Sequence, residues 1–187
     1  MRINVIGTSG SGKTTYGKKL AETLSISFLE LDAIFWGPEW GFPTDEVFFP
    51  RLSSALEGDN WVLDGNYSRT LPIKWERVQS VIWLDFTFAR TLYQAVTRAI
   101  PRLFSQEELW PGTGNRESIK MLLSRDSIVL WTIKTYRRRR TKILGYMKEE
   151  KFSQIRFHRL GSPREAEDFL QKIRMNPSLL TGKSNQK

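Results

Sequence analysis

The chain has 187 residues, 40% hydrophobic and 12% aromatic, enough for one sizeable core and short for two. It has no cysteine, which excludes a disulfide framework, a thiolate metal site and Cys nucleophilic catalysis. The net charge of +9 is uneven: residues 1–115 hold 11 Lys/Arg against 13 Asp/Glu, a balance of −2, and residues 116–187 hold 18 against 7, a balance of +11. That asymmetry points to a polyanion, either nucleic acid or the phosphates of a small ligand.

The first strand-like run starts almost at Met1, and no apolar run approaches the ~18 residues of a membrane helix, so a soluble, cytoplasmic protein is expected. Arg2 to Ile6 reads as a strand, then a Gly/Ser loop, then a helix from about Lys13 to Leu24 with Tyr16, Leu20 and Leu24 on one stripe. Further strands are expected at Ser27–Leu31, Asn60–Leu63, Ser80–Leu84 and Gln154–Leu160. A helix near 45–57 is placed to start closer to Phe48 than to Thr44, so that Pro50 falls in its first turn. Thr87 caps a helix to about Ile100, which Pro101 interrupts, and residues 102–115 read as a loop. A long helical pattern covers Arg116 to about Lys151, and Ser162-Pro163 opens a last helix ending near Arg174. The expected fold is α/β: a P-loop NTPase of the nucleoside monophosphate kinase kind, with a five-stranded parallel sheet, helices on both faces and a helical lid. It is one domain over 1–174, with the lid at about 102–118 and a flexible tail over 175–187.

The chemistry starts at "GTSGSGKTT", residues 7–15, which fits G-x-x-x-x-G-K-[ST] between a strand and a helix. Gly7, Ser9, Gly10, Ser11, Gly12, Thr14 and Thr15 are the expected phosphate cradle, with backbone N–H groups and a helix N-terminus facing ATP. Lys13 is the catalytic cation on the β and γ phosphates, and the Thr14 hydroxyl ligates Mg²⁺. Asp64 closes the strand "NWVL" and is the expected second Mg²⁺ residue, acting through water, with Asp85 at the end of the next strand as its competitor. Gly65 after it allows a sharp turn.

These stretches, with "LELDAIFWGPEW", "VLDGNYSR" and "VIWLDFTFARTLYQAVTRAIPR", resemble adenylate-kinase-related P-loop kinases, particularly the group labelled DNA topology modulation proteins, over about residues 1–170. The resemblance implies a kinase for a nucleotide or a small hydroxylated acceptor, using ATP and Mg²⁺. Adenylate kinases read D-G-F-P-R where this chain has Asn66, Tyr67 and then Arg69 one residue later, so acceptor specificity is expected at Asn66, Tyr67 and Arg69, with Gly65 beside them on the substrate. Asp32 is expected to end the second strand, where related metabolite kinases place an acid to bind or deprotonate the acceptor hydroxyl. Lid arginines neutralise the transferring phosphoryl group in this superfamily. Arg98 and Arg102, four apart on one helical face, are the expected pair, with Arg116 and Arg125 as further candidates and Arg137 on the ATP side.

Trp36, Trp40 and Phe42 either stack on a base or roof the pocket. Four consecutive arginines, Arg137 to Arg140, spread round most of a helix and cannot form one site. His158, the lone histidine, is expected to be structural. The rival reading is an ATP-binding, nucleic-acid-associated regulator that uses the basic C-terminal region. The oligomeric state is not legible.

Overall fold

The first strand, β1 (Arg2–Gly7), is buried along nearly its whole length, as a central strand of a parallel sheet must be. The computed structural model describes residues 1–105, 108–116 and 128–181, with backbone only at 99, 102–105 and 128–129. Five strands, β1, β2 (Ser27–Glu30), β3 (Trp61–Asp64), β4 (Ser80–Leu84) and β5 (Arg156–Leu160), form one sheet in the order β2-β3-β1-β4-β5. Every pairing is parallel. The chain leaves β1 for one side of the sheet and crosses to the other after β3, so the end of β1 lies at the point where the strand order reverses. In such sheets that crevice is the ligand site.

Side chains alternate across the sheet and make two cores. Ile3, Val5, Val62 and Ile82 pack against α1 (Lys13–Leu24) and α7 (Pro163–Met175), through Leu20, Leu170 and Ile173 among others. On the other face Ile6, Leu63, Val81 and Trp83 meet α2 (Leu31–Phe35), α3 (Asp45–Ala55) and Ile143 of α6 (Ile128–Tyr146). Among the described residues the other α-helices are α4 (Leu71–Lys74) and α5 (Phe88–Ser105). Among the described residues no helix is long and apolar enough to cross a membrane.

Four sequence expectations need correction. Helix α3 starts at Asp45, with the Thr44 carbonyl accepting from the Val47 and Phe48 amides, so Pro50 lies inside the helix. An interior proline costs ~3 kcal/mol. Burying Phe48 and Leu52, both fully enclosed, returns ~1.5–3 kcal/mol each, so packing outweighs the break.

Helix α5 likewise runs through Pro101 to Ser105. The carbonyl that Pro101 leaves without its donor belongs to exposed Thr97, where water can take it. Its start is as expected, with the Thr87 hydroxyl accepting from the Arg90 amide at 3.4 Å.

Asp32 does not end a strand; it lies in the first turn of α2. The tail, finally, is packed as far as Leu180. Pro177–Leu180 is a short 3₁₀ turn, Leu180 is buried, and its carbonyl accepts from Ser80 Oγ at 2.8 Å. Residues 182–187 lie outside the described part.

The expected loop at 102–115 begins as helix and continues, at 108–116, as a turn closed by an antiparallel bridge between Glu108 and Arg116. Residues 117–127, which include the expected helical positions Met121 and Leu122 and the lid candidate Arg125, lie outside the described part.

Candidate active site

The phosphate loop is set by backbone demands. Gly12 precedes α1 with φ +85°, a left-handed conformation that glycine adopts at least cost. The Ser11 amide bonds the Thr8 carbonyl at 3.1 Å, closing the loop, and the Ser11 hydroxyl is buried without a partner. Lys13 Nζ donates to the Thr8 carbonyl at 3.3 Å, folded over the loop it serves. Burial lowers its pKa, while the nearby charges of Asp64 and Asp32 act in the opposite sense. Thr15 is exposed, and Ser9 lends its carbonyl to the Thr132 hydroxyl at 3.3 Å, which ties α6 to the loop.

At the foot of the loop, Thr14 Oγ1 donates to Asp64 Oδ2 at 2.5 Å. The other carboxylate oxygen, Oδ1, is buried with no partner. Burial raises the Asp64 pKa, opposed by Lys13 and by the Thr14 hydrogen bond. An unsatisfied buried carboxylate oxygen beside a hydroxyl fits a hydrated divalent cation. Among the described residues no group of three His, Cys, Asp or Glu could hold a metal alone, so the remaining ligands would be phosphate oxygens and water. Asp85 is otherwise engaged: Arg140 Nε reaches both its oxygens at 3.0 and 3.1 Å, and Arg159 Nη2 lies at 2.6 Å. The placement favours Asp64 over Asp85 as the acid beside the loop.

Across the crevice lies the "DGNYSR" turn. Gly65 must be glycine, since a Cβ there would lie 2.4 Å from Leu31 Cβ. The side chain of Asn66 is taken up by the loop: its Oδ1 accepts from the Gly7 amide at 3.1 Å and its Nδ2 donates to the Gly7 carbonyl. Arg69 pairs with Asp45 of α3 at 2.7 Å and lies over the Phe35 and Phe48 rings at 5.1 and 5.4 Å. Both residues hold the walls of the crevice in place, a use that spacing alone does not reveal.

Tyr67 is the other expected specificity residue: burial first, then the nearby Asp32 carboxylate, raises the pKa of its phenol. Asp32 shares this field with Lys13, Asp64 and Arg139.

The arginine run divides. Arg139, half-buried, feels Asp32 and Tyr67 and reaches the site, whereas Arg137 is exposed and lines a separate cavity with Asp85 and Arg159. Arg139 is therefore the member of the run that faces Asp32, while Arg137 lies on the side of the Asp85 cavity. Residues two apart on a helix point about 200° apart, so only the docking of α6 selects one. Arg98 is exposed on α5, yet its charge acts on Lys13 and Asp64, which places it on the phosphate side. Arg102 falls within α5, and its side chain lies outside the described part.

A clamp that the sequence did not reveal ties residues 110–115 to the 36–41 loop and to the end of β2. Asn115, buried, accepts from the Trp40 amide at 2.8 Å and donates to the Gly37 carbonyl at 2.9 Å. Trp110 stacks on Trp36 with ring centres 6.2 Å apart and donates to Glu30 at 3.1 Å. Trp36, Trp40 and Trp110 contact one another as one aromatic cluster. The loop bends hard to do so: Glu39 and Trp40 both have positive φ, 55° and 59°. Far from this site, His158 Nε2 lies 3.2 Å from Ser80 Oγ, whose proton goes to Leu180, and its ring packs on Phe169. That is a structural role.

The five-stranded, all-parallel sheet with helices on both faces and a phosphate loop after β1 is the P-loop NTPase fold. Among solved structures, the chain is similar to the crystal structure of shikimate kinase from Aquifex aeolicus VF5. The identity is 18% over 95% of this chain and 96% of that one, with a TM-score of 0.52. No protein-family model and no curated protein matches the sequence.

Proposed function

We propose that the protein is an ATP-dependent phosphotransferase that moves the γ-phosphoryl group of ATP to a small hydroxylated acceptor. The observation that carries this is the Thr14–Asp64 pair, with an unpartnered Asp64 oxygen at the foot of a complete phosphate loop. Lys13 and the loop amides bind the triphosphate, and Thr14 with Asp64, through water, would hold Mg²⁺. When bound, the ion neutralises charge on the β and γ phosphate oxygens.

Asp32 faces the acceptor and takes its hydroxyl proton as that oxygen attacks the γ-phosphorus and the bond to the ADP oxygen breaks. Tyr67 stands beside the Asp32 carboxylate, whose charge acts on its phenol. Arg98 and Arg139 supply positive charge from the two flanks of the transferring group. The clamp of Asn115 and Trp110 over the 36–41 loop excludes water that would otherwise hydrolyse ATP.

The fold shared with a shikimate kinase supports a metabolite-type acceptor, and so does Asp32. Nucleotide acceptors stay within the reading because the "LDGNYSR" turn is similar to that of nucleotide kinases. The quoted stretches also support a place beside the DNA topology modulation group. The nucleic-acid reading draws little from the structure. Arg140 is paired with Asp85, Arg139 faces the crevice and Arg137 lines another cavity, so the run offers no continuous basic face.

The test is ATP consumption by the purified chain against nucleoside monophosphates, nucleosides and small hydroxylated metabolites, with Lys13→Ala as control. Turnover that survives Lys13→Ala would sink the mechanism.

A further inference from the structure

A second cavity, of about 510 Å³, opens between the 66–75 segment and α6. Four cationic residues line it, Lys74, Arg138, Arg139 and Lys142, with Tyr67 and Trp75 as aromatic walls and no Asp or Glu among the lining residues. Lys74 is the unusual member, only 1% exposed, with Nζ donating to the Gly65 carbonyl at 3.1 Å. An ammonium carries three donors, and one carbonyl does not neutralise it. Burying such a cation is costly unless an anion pairs with it. Its pKa is accordingly lowered, by desolvation first, to about 7, with Asp64 opposing the shift. Arg139 stands at the boundary, coupled to Asp32 and Tyr67 on one side and to Arg138 on the other.

We infer that this cavity is an anion subsite that takes a phosphate or carboxylate group of a small molecule, with Lys74, Arg138 and Lys142 as its recognition residues. Resting on the kinase reading, this narrows the acceptor to a hydroxylated molecule bearing an anionic group. The arrangement removes a conflict at Asp32, because a carboxylate beside an anionic acceptor is repelled. Here Tyr67 separates the two: its phenol feels the charge of Asp32, while the residue also lines the cationic cavity. The acceptor hydroxyl would lie at Asp32 and its anion behind Tyr67.

The test uses the full chain with its phosphate loop filled by a non-hydrolysable ATP analogue and Mg²⁺, titrated with inorganic phosphate and followed by calorimetry and by the Trp75 indole N–H resonance. Saturable binding that shifts Trp75 and weakens about tenfold or more in Lys74→Met and in Arg138→Gln is expected, with affinity for the analogue unchanged. Arg138 and Lys142 are exposed, so Arg138→Gln and Lys142→Gln keep the test valid if Lys74→Met fails to fold. Absence of saturable phosphate binding, or equal binding in all these variants, overturns the subsite.

Turnover of matched acceptors, uncharged polyols against their monophosphates and sugar acids, separates the sources. A preference for the charged member that Arg138→Gln abolishes assigns the anion to the acceptor. Free phosphate that changes turnover of uncharged acceptors, without such a preference, assigns the subsite to phosphate itself. Phosphate binding in a chain that turns over no acceptor sinks the kinase reading and leaves the subsite standing.

Discussion

The core of the phosphate side of the crevice is nine consecutive residues and one strand end, braced from outside by Asn66 and Thr132, whereas the acceptor side is assembled from segments 75 and 80 residues apart, as in the contacts of Asn115 with Trp40 and of Trp110 with Glu30. The first depends on what each residue's own backbone can do. The second depends on which helix and which loop arrive beside it. A site divided this way should respond differently to damage on its two sides: steeply and in chemistry on the phosphate side, locally and in closure on the other.

The largest expected effect lies on the phosphate side. Lys13→Ala should lower kcat/KM for ATP-dependent transfer by about 10²–10³ or more while the fold persists, measured by coupled ADP release. Next is Gly65→Ala, where the turn joins both sides. The added Cβ meets Leu31 in a strained backbone and should cost about 2–3 kcal/mol, read as a lower urea midpoint with an unchanged slope. An unshifted midpoint would mean that the turn relaxes and the two sides are less tightly joined than the contact implies.

On the acceptor side, Asn115→Ala leaves the Trp40 amide and the Gly37 carbonyl without their partner. It should loosen the clamp by about 1–3 kcal/mol. Hydrogen exchange at Trp40 should then quicken while that of β1 amides does not; equal protection before and after would remove the clamp from the comparison.

The smallest effect concerns a region that belongs to neither side. His158 has a pKa lowered to about 4, by desolvation first and Arg156 second, so it stays neutral in the fold. Between about pH 6.5 and 4 the unfolded chain binds a proton that the native chain does not, and stability falls as pH drops through that window. Its share is about 1 kcal/mol after allowance for partial exposure. His158→Gln should flatten that part of the urea-midpoint profile and leave kcat unchanged.

Strand and helix positions were legible where hydrophobic pattern and local signals agree. Lys13–Leu24 and Ser80–Leu84 lie where their patterns put them, and Thr87 and Ser162 cap as read. The two interior prolines misled because proline is a local penalty, and the burial of Phe48 and Leu52 that outweighs it at Pro50 is not local. In the tail, Leu179-Leu180 is a short apolar pair with no period, and only the β4–β5 edge of the sheet offers it a seat through Ser80 and Arg156.

By itself the sequence determined the phosphate loop, the strand that ends in Asp64 and the parallel α/β plan. Glycine at a positive φ, a buried run and a helix cap are properties of a few adjacent residues. Only the tertiary structure decided that Asn66 holds Gly7, that Arg69 pairs with Asp45, that Arg139 rather than Arg137 faces Asp32, and that Lys74 is buried. Each of these depends on the rotation of a helix about its axis and on which distant segment packs against it, and side-chain chemistry leaves both open until the core closes.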